Sequence, residues 1–259
     1  GEYWLARAFI FCTGTFLNGT LHYGTTSVDG GRAGDPPSTG LTSALESQLN
    51  VQTGRLKTGT PPRVLAKSID FSEMRRQDPD NEDVHFSFRR SSCRGLPSEV
   101  TGNKDLPQLP CFLSETTEET AEIIRDHIHE SPLYSGRIEG TGIRYCPSFE
   151  DKVFRFPHQS RHTIYMEPEG AFTDEYYVNG ISTSFPPALQ WRMLHTIPGL
   201  EQAVITRYAY GIEYDFVYPH QLEASLALRE WPNVFLAGQI NGTSGYEEAA
   251  GQGILAGIN

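Results

Sequence analysis

Cysteine is scarce in this sequence. Cys12, Cys93, Cys111 and Cys146 are the four cysteines in 259 residues, and none shows CxxC or Cys/His spacing. That excludes a disulfide scaffold and predicts that no zinc or other metal is bound. Long apolar runs are missing too; none approaches the roughly 20 residues of a membrane-spanning helix. No signal peptide is expected, because the chain opens directly on strand-like sequence. Positive charge is in deficit, with 21 Lys and Arg against 32 Asp and Glu and a net charge of −11. A surface that is basic overall is excluded, so any RNA contact must use local patches or parts outside this chain. No GxGxxG turn follows a strand near the start. The usual pyrophosphate-seating loop is therefore absent, and the chain reads as part of a longer protein. Apolar content of 38% and charged content of 20% describe a globular chain, long enough for one large or two modest domains.

What is present is concentrated at the end, in NVFLAGQINGTSGYEEAAGQGILAGIN. Val234–Ala237 is short and apolar and stops at Gly238, as a buried strand does. A turn rich in Gly and Asn follows, with Gly238, Asn241, Gly242 and Gly245. A helix is predicted from Tyr246, carrying Ala249, Ala250, Ile254, Leu255 and Ala256. Strand, glycine turn and small-residue helix let a backbone approach a dinucleotide closely; the alternative is a tight turn with no ligand. Glu247 and Glu248 suit a helix N-terminus but would repel a pyrophosphate, so this helix should face the neutral end of a cofactor. A second buried strand is predicted over Ala8–Cys12, ending in Thr13-Gly14-Thr15, with Cys12 a packed core residue. Both strands should deliver their loops to one crevice.

Between these ends, residues 24–40 have loop chemistry, and Leu41, Ala44, Leu45 and Leu49 recur at helical spacing. Arg55, Lys57 and Arg63 lie in a stretch broken by Gly and Pro, expected to project from a fixed loop. With Arg32 they are candidates for cofactor phosphate or RNA backbone, or else solvated surface. Val84, Phe86 and Phe88 alternate as a strand does, and residues 89–108 are polar and loop-like. Cys111–Leu113 is strand-like, and Thr116 and Glu119 form a capping-box pair before a helix bearing Ala121, Ile124 and Ile128. His127 and His129 on that helix read as surface residues. Cys146 has Arg144 before it and Lys152 after it; nearby cations favour a reactive thiolate, while an inert packed cysteine is the alternative. Thr163–Glu167 reads as a strand, and Leu189, Met193, Leu194 and Ile197 as a helix. Tyr208, Tyr210, Ile212, Tyr214 and Phe216 alternate as the aromatic face of a strand, with Glu213 and Asp215 opposite. That face suits packing or base stacking.

The segment AGQINGTSGYEEAAGQG resembles the C-terminal signature of the GidA/MnmG family, flavoproteins that modify the wobble uridine of certain tRNAs. GGRAGDPPS, GRLKTGTPPR and RYCPSFEDKVFRF match as well. The chain departs from the family at Gly251, where Ala is usual, and at Phe149, where a smaller aliphatic residue is usual. The resemblance implies an α/β fold: a Rossmann-like FAD-binding domain of the two-dinucleotide flavoprotein type with an inserted α/β or α+β domain. The division expected is 1–66 and 219–259 for the first and 67–218 for the second, NAD-associated unit. FAD is expected at Gly14, Ser38, Gly238, Gln239, Asn241, Gly242, Gly245 and Tyr246. NADH is expected at Gly142, Arg144, Tyr145, Pro147, Ser148, Lys152 and Arg155, with Cys146 as the catalytic thiol. The family also implies a reduced folate, methylene-tetrahydrofolate, as one-carbon donor, tRNA as substrate, an MnmE-like GTPase partner and a homodimer. It suggests part of a eukaryotic mitochondrial member, or a cytoplasmic location for a bacterial one. A folate- and FAD-dependent tRNA uridine methyltransferase and a non-catalytic docking fragment are the alternative readings.

Overall fold

A computed structural model describes residues 3–79, 109–143, 147–159 and 161–259. The strand expected around Val84–Phe88, the loop after it, and Arg144, Tyr145 and Cys146 lie outside the described residues.

The described strands form three sheets. The smallest joins β1 (Phe9–Phe11), β14 (Trp231–Leu236) and β13 (Ala227–Leu228) in the order β1-β14-β13. β1 and β14 run parallel, with Phe9 opposite Val234 and Phe11 opposite Leu236. A tight turn at Gly238–Asn241 leads from β14 to the C-terminal helix Tyr246–Ile258. Contrary to the sequence reading, β1 is not buried: Phe9 and Ile10 keep 39% and 45% of their surface and Cys12 is exposed. β1 is an edge strand with β14 on one side only; Phe11 packs against the core around Leu236, while Phe9 and Ile10 are left exposed among the described residues.

The second sheet has the order β3 (Thr26–Asp29), β2 (Thr20–Tyr23), β12 (Tyr210–Val217), β4 (Thr53–Thr60) and β8 (Thr141–Gly142). The cationic stretch expected as a loop is therefore strand. β4 pairs with β12 along its full length, from Tyr210↔Thr60 to Val217↔Thr53. Its two glycines are packing devices rather than breakers: a Cβ on Gly54 would lie 2.8 Å from the Phe216 ring and from the Tyr218 hydroxyl, and one on Gly59 would lie 3.3 Å from the Tyr210 carbonyl oxygen. Pro61 and Pro62 then end the strand, since proline has no N–H to donate. β12 is central, and its aromatic and acidic faces are both buried.

The third sheet runs β11 (Ile205–Arg207), β5 (Arg63–Leu65), β10 (Glu175–Asn179), β9 (Thr163–Pro168), β7 (Cys111–Glu115) and β6 (Arg75–Gln77). Numbered along the chain, helices α1 (Leu41–Leu49), α2 (Glu118–His127), α3 (Phe149–Arg155), α4 (Pro187–Leu194) and α5 (Tyr246–Ile258) complete the fold. The main core combines Ile124 of α2, Phe149 and Val153 of α3, and Leu189 and Met193 of α4 with Val64, Ile164, Met166 and Val178 of this sheet. A second core joins Leu45 of α1 to Val217, Leu236 and Ile240. The capping box of α2 is one residue later than expected: Thr117 and Thr120 exchange side chain and backbone. Thr116 is instead tied to His162 through both its N–H and its hydroxyl. Ile128 falls in the short turn after α2, and Ile197 is buried beyond the end of α4. β5 belongs to the third sheet, while β12 and β8 belong with β2 and β4.

Candidate functional site

The turns after β1 and β14 meet. The Ala237 N–H donates to the Phe11 carbonyl at 3.0 Å, extending the parallel ladder into both turns. Gly14, Gly238 and Gly242 have φ of 55°, 84° and 79°, the left-handed region where a side chain is strained. A Cβ on Gly14 would stand 3.6 Å from Gln239 Oε1, so the two glycine turns share one crevice, as expected. Gln252 on α5 locks the second turn: its Oε1 accepts from the Gly238 N–H at 3.0 Å and from Asn241 Nδ2 at 3.3 Å. Gln239 donates to the Tyr214 hydroxyl at 3.3 Å, tying the turn to the central strand of the second sheet. Ser38 comes alongside as well, its N–H donating to the Phe16 carbonyl at 2.8 Å.

Three buried polar atoms around this crevice have no hydrogen-bond partner among the described residues: Thr13 Oγ1, Asn241 Oδ1 and Thr243 Oγ1. Orphaned polar atoms are costly in a protein interior and ask for an explanation. Beside them, Asn241, Gly242, Thr243, Glu248, Gly251, Gln252 and Leu255 line an open cleft of about 440 Å³. The N-terminus of α5 is already served by its own acid, because Glu248 Oε2 accepts from the N–H groups of Ser244 and Gly245 at 3.0 and 3.1 Å. A second anion there would meet a carboxylate, so the cleft suits uncharged polar groups. Gly245 is the cap of this helix, and Tyr246 is 92% exposed.

The second candidate stretch lies against β4. β8 pairs with it in parallel, Lys57 opposite Gly142. A Cβ on Gly142 would come within 3.1 Å of Lys57 Cε. Ser148 caps α3 by accepting from the Asp151 N–H at 3.1 Å. Lys152 Nζ donates to the Gly180 carbonyl at 2.8 Å, and Arg155 is exposed in the last turn of α3. Gly142, Pro147, Ser148 and Lys152 thus gather around α3 and β4, while Cys146 lies outside the described residues.

The four candidate phosphate or RNA cations do not form one basic patch. Arg32 pairs with Asp35. Arg55 donates to Asp215 at 2.8 Å, and buried Lys57 stands 3.9 Å from Asp151. Arg63 pairs with Glu169 at 2.7 Å and lies over the Tyr177 ring. Each cation is matched by an acid, which consumes its charge locally.

Sequence reasoning gave no role to Gln252 or Glu150, and it placed Tyr214 on a packing or stacking face without its bond to the turn. Gln252 is polar among small residues, which was a usable signal. Glu150 is fully buried in α3, where burial pushes its carboxyl above the usual range and hydrogen bonds from Ser184 and Thr183 offset this only in part.

Fold and site together define a class: a mixed α/β protein with a Rossmann-like strand–turn–helix unit, whose glycine turns open a polar crevice. The sequence pattern of the family described as glucose inhibited division protein A matches residues 1–259. The chain belongs to this family, GidA. A curated relative from Thermodesulfovibrio yellowstonii, named tRNA uridine 5-carboxymethylaminomethyl modification enzyme MnmG, is 50% identical over 100% of this chain and 40% of its own length. A relative of the same name from Protochlamydia amoebophila is 52% identical over 98% of this chain and 39% of its own. The form I crystal structure of Aquifex aeolicus GidA superposes with a TM-score of 0.84 at 45% identity, covering 97% of this chain and 41% of that one. The chain therefore spans about 40% of the length of the curated relatives it matches.

Proposed function

We propose that this chain forms the cofactor-facing part of an enzyme that modifies C5 of the wobble uridine of tRNA. The observation that carries the proposal is the crevice between the Gly14 and Gly238 turns, with its orphaned Thr13, Asn241 and Thr243 side chains. Bare backbone on two sides, unsatisfied neutral hydrogen-bonding groups and a helix end already holding a carboxylate fit the flavin ring and ribityl chain of FAD. The names of the relatives support the tRNA substrate.

Within that reading, Gly14, Gly238 and Gly242 admit the ring, and Asn241 and Thr243 orient it. Gln252 accepts from the Gly238 N–H and from Asn241 Nδ2, which leaves Asn241 Oδ1 as the acceptor for the ligand. Bound FAD supplies the redox chemistry. In our reading the Gly142–Arg155 stretch would hold NADH as the reductant of the flavin, a reduced folate would be the one-carbon donor, and an MnmE-like GTPase would assist a homodimer of the enzyme. The compartment follows the source, mitochondrial for a eukaryotic member and cytoplasmic for a bacterial one. The Cys146 thiolate adds at uridine C6, breaking the C5=C6 π bond and placing its electron pair on the C5–C4–O4 enolate; once C5 has taken the new carbon, loss of the C5 proton expels the thiolate and restores the ring.

The test uses the full-length protein. Thr13→Val removes an orphaned hydroxyl without changing volume, so folding stability should hold or rise while FAD affinity falls. Unchanged FAD binding, read by visible absorbance and titration, would remove the flavin from this crevice. For the chemistry, Cys146→Ser should lower uridine modification by about 10²-fold or more while FAD content stays normal. Near-normal product by nucleoside mass spectrometry would return Cys146 to an inert role.

A further inference from the structure

β8 has two residues and two register pairs with β4, Leu56↔Thr141 and Lys57↔Gly142. So short a pairing does not hold its own position. The backbone just before it is held by a side chain from another strand. Glu213 Oε1, on β12, accepts from the Glu139 N–H at 3.0 Å and the Gly140 N–H at 2.7 Å. Two successive amides on one anionic oxygen make a small anion nest. Glu213 Oε2 is taken by His22 Nε2 at 2.9 Å, and His22 Nδ1 meets Ser27 Oγ at 3.0 Å. Arg55 Nε stands 3.9 Å from Oε1. Gly140 makes the approach possible: a Cβ there would lie 2.9 Å from the Leu56 carbonyl carbon and 3.1 Å from Glu213 Oε1. Glu213 itself is 5% exposed on a central strand paired on both sides, so its carboxylate is a fixed point.

We propose that Glu213 is a positioning residue for the nicotinamide-nucleotide site: its carboxylate, seated between His22 and the Glu139 and Gly140 amides, sets where β8 and Gly142 meet the ligand. This rests on the reading of Gly142, Ser148, Lys152 and Arg155 as part of that site. Glu213 acts through backbone and touches no reacting atom. The role needs a charged acceptor. Glutamine keeps an oxygen for the Glu139 and Gly140 amides only by donating to His22, which forces the other imidazole tautomer against Ser27, and it removes the charge that the two amides and Arg55 face. Aspartate keeps both acceptors but is one methylene short.

Glu213→Gln and Glu213→Asp in the full-length flavoprotein test this with two readouts. Amide hydrogen exchange should show residues 139–142 losing protection by about tenfold or more in the Gln variant, with β2 and β12 unchanged. The KM for NADH in flavin reduction should rise about tenfold with kcat and flavin content kept, and Asp should recover part of both effects. Unchanged protection at 139–142 would overturn the proposal. So would lost protection with an unchanged KM, and so would global unfolding of both variants, which would make Glu213 a folding residue only. Wild-type protein that neither binds nor oxidises NADH would instead overturn the reading of the stretch, while the exchange data would still decide whether Glu213 holds β8.

Discussion

Glu150 and Glu213 are both buried carboxylates, and their surroundings push them in opposite directions. Burial raises Glu150, and the single oxygen that Ser131, Thr183 and Ser184 serve cannot offset it. Burial would raise Glu213 too, but the bonds from His22 and Gly140 and the Arg55 charge outweigh it and leave it below the usual range. The signs follow. Glu213 stabilises the fold above the ordinary carboxylate value of about 4.3, and that contribution is lost as pH falls through its lower folded value. Glu150 does the reverse: its contribution is full below about 4.3 and is lost as pH rises through its higher folded value. Glu150→Gln should therefore flatten the alkaline side of the stability–pH curve and leave the acid side in place. Urea midpoints measured across pH would decide it, and parallel curves for variant and parent would sink the assignment. Gly242 makes a simpler case. Its φ of 79° strains any side chain, while a Cβ would meet Pro219 at an unremarkable 3.7 Å. Gly242→Ala should cost about 1–2 kcal/mol through backbone strain rather than clash. A loss well below that, in the same urea experiment, would contradict the left-handed turn.

At the scale of elements, the unit formed by β14, its turn and α5 was legible because each signal was local: an apolar run, glycines at the turn, small residues on the helix. The Gln252 clamp within it was not, since its partners Gly238 and Asn241 lie 14 and 11 residues away. Gln252→Leu should leave the buried Gly238 N–H unpaired and cost about 1–3 kcal/mol. A thermal melt showing no loss would mean that the turn finds another partner. Arg55–Arg63 was misread for the opposite reason. Gly59 and the prolines after it argue for a loop when seen alone, and only the pairing with β12, whose Tyr210 carbonyl oxygen would lie 3.3 Å from a Cβ on Gly59, shows why glycine sits in a strand. β1 looked buried because its residues are apolar, but composition cannot reveal that a strand lies at a sheet edge.

For the whole molecule, the deficit of positive charge and the pairing of the candidate cations have one reading: Arg32, Arg55, Lys57 and Arg63 hold the fold together more than they advertise it to an anion. The helix beside the crevice also leaves apolar surface uncovered by the described residues, with Tyr246, Ile254 and Ile258 of α5 at 92%, 66% and 76% exposure. The chain alone should bind FAD weakly and the full-length protein tightly. A stoichiometric yellow complex of the chain after gel filtration would refute that.

The central place of β12 carries a cost in time. Its partner β4 is complete long before it: Arg55 and Asp215, joined by an ion pair, are separated by 160 residues. At roughly 5–20 residues per second, a ribosome takes on the order of 8–30 s to make that span. Throughout it, β2 and β4 each present an unfilled edge to the crowded cell. The nascent chain must therefore pass through a sticky adolescence, and growth conditions that slow translation between β4 and β12 should raise its dependence on chaperones.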